Sequence, residues 1–380
     1  MKKVAVLLAL VLIFCAPLVN AELVTPMHPG PQNPLTDNLY DFRFVIENVL
    51  YELPTSLDTF TAAGWQVKDG KDIEGTLNPN QRTFSIRLVN NANFETKEMY
   101  VSFYNTDNCV KPISECPVGG LMVETAYGDK PQVAITLPKG IEKGVSSQED
   151  IVEAFGTPTD IYEGSSYTKL TYALESYREV ALYVEEGKLN KVDAENLVET
   201  ENKSPVSQEV PQYILDYVAP TELGDDLTGF VVKYNGDLYQ LPAPIRAFVA
   251  NGYTLQEARI PEVDAKDSPF GGVKLARDNQ TEGYYTKNYA DVAVLAENCA
   301  VYELEASTSE YDKRDIELPG GIALGMAKAD LEAIIGSAGF ERTEADKEFR
   351  YRFQDDNRNE INIYVEKETE KIKTIEISVR

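Results

Sequence analysis

The sequence predicts an α+β fold built by tandem duplication, each repeat laying short helices on one face of an antiparallel sheet. Three observations carry this expectation. First, Leu35, Asp37, Leu39 and Phe42, followed by Leu50-Tyr51-Glu52-Leu53-Pro54 and Gly64-Trp65, return later in the chain. The copies are Leu223, Asp225, Leu227 and Phe230, then Leu238-Tyr239-Gln240-Leu241-Pro242 and Gly252-Tyr253. One offset of 188 positions carries Asp37 onto Asp225, Pro54 onto Pro242 and Gly64 onto Gly252, and self-similarity at a fixed spacing marks a repeated structural unit. Second, apolar residues pair at helical spacing beside start and stop signals. Third, the closing segments alternate apolar and polar residues with the period of a half-covered strand.

Taken in order, Lys2-Lys3, an apolar run from Val4 to Phe14 and Val19-Asn20-Ala21 read as a secretory signal peptide, residues 1–21, cleaved after Ala21. The run is shorter than the roughly 20 apolar residues a spanning helix needs. Phe14 stands before Cys15, where a lipid-modified cysteine has a small residue, which argues against a lipoprotein. Residues 22–33 form a Pro-rich leader without periodicity. Repeat 1 is expected over 34–197, a linker with Pro205 and Pro211 over 198–220, and repeat 2 over 221–380.

Each repeat opens on a strand that ends at the Tyr-x-Leu-Pro element. A short helix follows: Leu57 with Phe60, ended by Gly64, and in the copy Ile245 with Phe248, started by Pro244 and ended by Gly252. Turn-rich, alternating segments lead to Glu115-Cys116-Pro117-Val118 and Asn298-Cys299-Ala300-Val301, then come Leu137-Pro138-Lys139-Gly140-Ile141 and Leu318-Pro319-Gly320-Gly321-Ile322. Ser146 with Glu149 fits a capping box opening a second helix through Ile151 and Phe155. Its copy carries Leu331 and Ile335, with Ala327 where the serine would stand. Val180, Leu182 and Val184 in one repeat, and Phe349-Tyr351-Phe353, Ile361-Ile363-Val365 and Ile375-Ile377-Val379 in the other, alternate as antiparallel strands.

The stretch Gly144-Val145-Ser146, the helix through Ile151, Phe155-Gly156-Thr157-Pro158, Tyr167, Tyr172 and the Val180–Leu189 hairpin resembles a superfamily of small cell-envelope domains. That superfamily includes the small lipoprotein of the outer-membrane β-barrel assembly machinery and the β-lactamase inhibitory protein. The resemblance covers about fifty residues per repeat. It implies helices on a curved antiparallel sheet and action by binding other proteins rather than by catalysis. The second copy departs from it at Ser337-Ala338, which replace Thr-Pro.

Composition narrows the chemistry. The chain has 62 acidic and 36 basic residues, a formal charge of −26, and loss of Lys2 and Lys3 makes the mature chain more negative still. Such a charge repels nucleic acid, whose binding depends on Lys and Arg neutralising phosphates, and anionic lipid surfaces. The one histidine, His28, sits in the leader, so a histidine base or a histidine-rich metal site is not expected. No Gly-rich phosphate loop or zinc-type cysteine pair occurs, and no cofactor is expected. Ser166-Tyr167-Thr168-Lys169 matches Ser-x-x-Lys without the companion motifs. Asp355, Asn357, Asn359 and Glu366 have the oxygen-ligand spacing of a calcium loop, but Glu360 replaces the glycine the loop requires and strand alternation favours a hairpin turn. Cys109 and Cys116 are close enough to form a disulfide in an exported protein, worth about 2–3 kcal/mol. The alternative is that Cys116, aligned with Cys299, is simply a small buried residue.

Sequence offers no way to choose a carboxylate pair for glycoside hydrolysis among so many acids. The 22 tyrosines are expected in packing, with an exposed row as a sugar- or peptide-binding platform the alternative. The expectation is therefore an exported, non-catalytic binding protein of the cell envelope or extracellular space, with a protein partner ahead of a glycan. A carboxylate-based hydrolase or a glycan-binding module acting on envelope polymers is the alternative.

Overall fold

Asn38 and Asp226, a repeat apart, each close a turn by accepting the N–H two residues on, from Tyr40 at 3.1 Å and Thr228 at 2.9 Å. Phe42 and Phe230 follow, both buried, with φ of 50° and 51°. They direct the chain into the hairpins Arg43–Ile46 with Val49–Glu52 and Val231–Tyr234 with Asp237–Gln240. Leu53-Pro54 and Leu241-Pro242 are both cis. Tyr51 stacks on Phe60 at 4.6 Å between ring centroids, and Tyr239 stacks on Phe248 at 4.1 Å. Gly64 and Gly252 share a φ of 88°, a left-handed conformation that favours glycine, and deliver the buried rings of Trp65 and Tyr253.

These details belong to a computed structural model that describes residues 35–380 apart from 92–94, 129, 257, 259, 269–271, 279, 337 and 338. The signal segment with Cys15, the leader with His28, and Ser337-Ala338 lie outside the described residues.

The two repeats have the same sheet topology. In the first, the large sheet runs Asp160–Glu163, Thr168–Glu175, Arg178–Glu185, Lys188–Asn196, Val118–Glu124, Lys97–Phe103, Ile86–Asn90, Gln66–Val67. In the second it runs Glu341–Glu344, Glu348–Gln354, Glu360–Glu366, Lys371–Ser378, Ala300–Ser307, Gln280–Lys287, Val273–Arg277, Thr254–Leu255, with Ala243–Pro244 paired off this path. Chain order maps strand for strand between the two. Each opening hairpin also pairs with the strand at its Leu-Pro block, Ile135–Thr136 or Ile316–Leu318. By compactness the chain divides differently from its repeats. One unit takes the described residues up to Gln66, Leu88–Met99 and Met122–Ala194; the other takes Val67–Arg87, Tyr100–Leu121 and Glu195–Arg380.

The expected α+β class is corrected by these elements. Strands make up 41% of the chain against 16% helix, so the protein is mainly β and the helices form no covering layer. Among the described residues no helix exceeds eight residues. Leu57–Ala62 buries Phe60, Gln148–Phe155 buries Ile151, Ile245–Ala250 buries Ile245 and Phe248, and Lys328–Ile335 buries Leu331 and Ile335. One or two buried side chains per helix are too few to make a covering layer. The helical spacing was real but ran for two turns only. The capping box also lies one residue later than expected. Ser147 Oγ accepts from the Asp150 N–H at 3.2 Å, and Asp150 accepts from the Ser147 N–H at 2.8 Å. Ser146 is buried and accepts from the Glu142 N–H instead. Among the described residues no helix is long and apolar enough to cross a membrane.

Candidate functional site

The residues singled out by sequence do not gather. Asp355 Oδ1 accepts from the N–H groups of Asn357 and Asn359, both at 2.9 Å, which closes a turn on Asp355's own carboxylate. Glu366 lies at the far end of Glu360–Glu366 and accepts from Thr369. At about 3.4 Å per residue the strand holds Glu366 roughly 20 Å from the turn, because an extended chain separates what a calcium loop would fold together. Among the described residues no group of three or more His, Cys, Asp or Glu side chains could hold a metal ion. Cys109, Cys116 and Cys299 are free thiols. Cys109 donates to Ser204 Oγ at 3.3 Å and Cys116 to the Pro112 carbonyl at 3.4 Å. Lys169 of the Ser-x-x-Lys match sits on the strand Thr168–Glu175. Trp65 and Tyr253 are buried.

A site does form on the polar face of the second repeat's sheet, and its starting point is a register slip. Tyr285 pairs with Glu303, yet Thr286 pairs with Val301, so Tyr302 is an extra residue in its strand. A bulge of this kind re-aims side chains. It puts Tyr302 and Glu303 side by side in the wall of a cavity of about 400 Å³ that also takes in Lys287, Glu360, Glu376 and Arg380.

Strand pairing brings the acids together. Glu305 stands opposite Glu376, and Glu303 stands opposite Ser378, one diagonal from Glu376. Burial pushes the Glu303 carboxyl above its ordinary range, and Glu376 and Glu305 push it further. Burial and then Glu305 do the same to Glu376. Glu376 accepts from Tyr364 OH at 3.3 Å and from Asn362 Nδ2 at 3.4 Å, and Asn362 is held in turn by Arg350. Glu360 is paired with Arg352 at 2.7 Å. Lys287 is lowered by burial first and then by Lys266 and Arg380. The Glu303 and Lys287 side chains have no hydrogen-bond or ion-pair partner among the described residues.

In the first repeat the equivalent positions are filled. Third and fourth after Cys116 come Gly119-Gly120, where the copy has Tyr302-Glu303 after Cys299. Tyr104 lies on them so closely that a Cβ on Gly119 would sit 2.8 Å from its ring. Tyr104 precedes Asn105, whose buried amide binds the carbonyl of Cys109; Lys287 precedes Asn288, whose amide binds that of Val292 in the same way. Tyrosine therefore fills in one repeat the place that lysine leaves open in the other, and Arg82 joins the Tyr104 hydroxyl to Glu195.

Periodicity gave no hint of this site, since its residues come from 268 to 380. The one legible signal was Tyr-Glu standing against Gly-Gly in the repeat alignment. Compared with known proteins, the chain matches no family model, no curated protein and no solved structure.

Proposed function

We propose that this is an exported, non-catalytic binding protein that seats a polar side group of a protein partner in the second repeat's cavity. The observation that carries the reading is the pair of opposite charges, Glu303 and Lys287, half-buried and without a hydrogen-bond or ion-pair partner among the described residues, Lys287 resting only over the Tyr289 ring at 5.2 Å. A half-desolvated charge is costly when unpaired, and a ligand group offering a donor to Glu303 and an acceptor to Lys287 would relieve both. Export rests on the N-terminal pattern, and the bias towards a protein partner rests on the resemblance to envelope domains.

A hydrolase reading has one observation in its favour. Glu303 and Glu376 are both held protonated to higher pH than usual, and diagonal partners on adjacent strands have Cβ atoms about 7–8 Å apart, within reach of the separations that acid–base pairs use. Affinity capture from native envelope extract separates the two. A specific protein recovered by the wild type and lost with Glu303→Gln/Lys287→Ala supports binding. Release of reducing ends from envelope glycans that stops in Glu303→Gln, with no protein captured, overturns it.

A further inference from the structure

We propose that the polar face of the first repeat's sheet is a second binding surface, a stacking platform for a neutral polysaccharide strand, built from Tyr162, Tyr167 and Tyr183 with Lys169 and Lys191. It goes beyond the cavity and involves none of its residues.

Register assembles the platform. Tyr162 pairs with Lys169 and Lys169 pairs with Tyr183, so the three share one row on one face. Lys191 on the next strand extends the row, with its ammonium 4.7 Å from the Tyr183 ring centre, while the Lys169 ammonium lies 5.8 Å from the same ring. Four strands at about 4.8 Å spacing give a row roughly 14 Å long. Tyr167 joins the rings into a chain, 5.7 Å from Tyr162 and 5.4 Å from Tyr183. Tyr162 and Tyr167 are 53% and 37% exposed, although packing would have turned them inward. Gly164 makes the arrangement possible: a Cβ there would come within 3.0 Å of the Tyr162 ring.

The second repeat keeps the scaffold and drops the row. Arg350 stands over Tyr364 at 5.8 Å, as Lys169 stands over Tyr183, but the register partner of Arg350 is Thr343, not a tyrosine. The edge aromatics therefore answer to no demand of the fold.

Chemistry selects the occupant. Exposed aromatic faces stack on apolar C–H surfaces with geometric preference, and saccharide rings present such surfaces with hydroxyls around their edges. Acids stand beside the row: Asp193 lies 3.6 Å from Lys191, and Asp193 and Glu179 both act on Tyr183. The face thus offers donors and acceptors without a net cationic field, in a chain of charge −26. That balance suits a neutral sugar and repels a polyanion.

The test is calorimetric titration of the full chain with hexameric β-1,4-linked glucose, mannose and N-acetylglucosamine, with oligogalacturonate as the charged comparison. The expected result is binding of at least one neutral oligomer, weakened about ten-fold by Tyr162→Ala/Tyr167→Ala. Tyr162→Phe/Tyr167→Phe retains the rings and most of the affinity. The proposal is overturned if no neutral oligomer binds, if the double alanine variant binds as well as wild type, or if oligogalacturonate binds more tightly.

Discussion

Asp107 shows how one side chain ties distant sequence together. It is 4% exposed and accepts from the N–H groups of Asn108 at 2.7 Å and Ser204 at 2.8 Å, from Ser204 Oγ at 2.9 Å, and from Lys111 at 2.6 Å. Burial alone would raise its pKa, but Lys111, Ser204 and Asn108 outweigh it and hold the carboxyl down at about 2. A depressed carboxyl contributes stability above its unfolded value of 3.8, lost as pH falls through the folded one. Asp107→Asn should therefore cost roughly 2 kcal/mol at pH 7 by urea denaturation, and the gap to wild type should narrow between pH 4 and pH 2. A gap unchanged across that window would show that the carboxylate charge is not what holds Ser204. Glu303 and Glu376 have the opposite sign: their raised pKa values favour the folded state at low pH and oppose it as pH rises. That is the stability cost expected of a site shaped for a ligand.

At the scale of the element, the paired helices Gln148–Phe155 and Lys328–Ile335 differ chiefly in their starts. Ser147 and Asp150 satisfy each other's backbone donors, whereas Ala327 has no side-chain cap. Ser147→Ala should cost about 1 kcal/mol and Ala327→Ser should add about 0.5–1 kcal/mol, read by chemical denaturation. Equal and negligible effects would mean that packing of Ile151 and Leu331 alone sets these helices. The helices were legible in sequence because their apolar pairs and terminal glycines are local. Their role was not, since an isolated two-turn helix and a covering helix have the same spacing over eight residues. The strand Gln280–Lys287 falls within what sequence shows only as turn-rich, alternating segments, and Val118–Glu124, after the cysteine block, has no sequence assignment. Gly119-Gly120 interrupts Val118–Glu124 and a bulge offsets the partner of Gln280–Lys287, so neither shows clean alternation.

For the molecule as a whole, duplication was legible because the shared positions are those the fold constrains: Phe42 and Phe230 at positive φ, the stacked Tyr51–Phe60 and Tyr239–Phe248, and the buried Cys116 and Cys299. The polar faces were illegible because their residues meet only through strand pairing across a hundred positions. There the repeats have diverged, one keeping a row of tyrosines and closing its cavity with Tyr104, the other opening a cavity beside Tyr302 and Glu303. The proposal that a shared β scaffold carries two specialised outer faces makes a definite demand on solution behaviour. Backbone amide NMR of the isotope-labelled chain, titrated with the neutral hexasaccharides and then with the captured partner, addresses it directly. Shifts should appear around Tyr162, Lys169 and Tyr183 for the sugar and around Lys287, Tyr302 and Glu303 for the partner. Shifts confined to other surfaces, or the same set of residues moving for both ligands, would contradict the division of labour between the repeats.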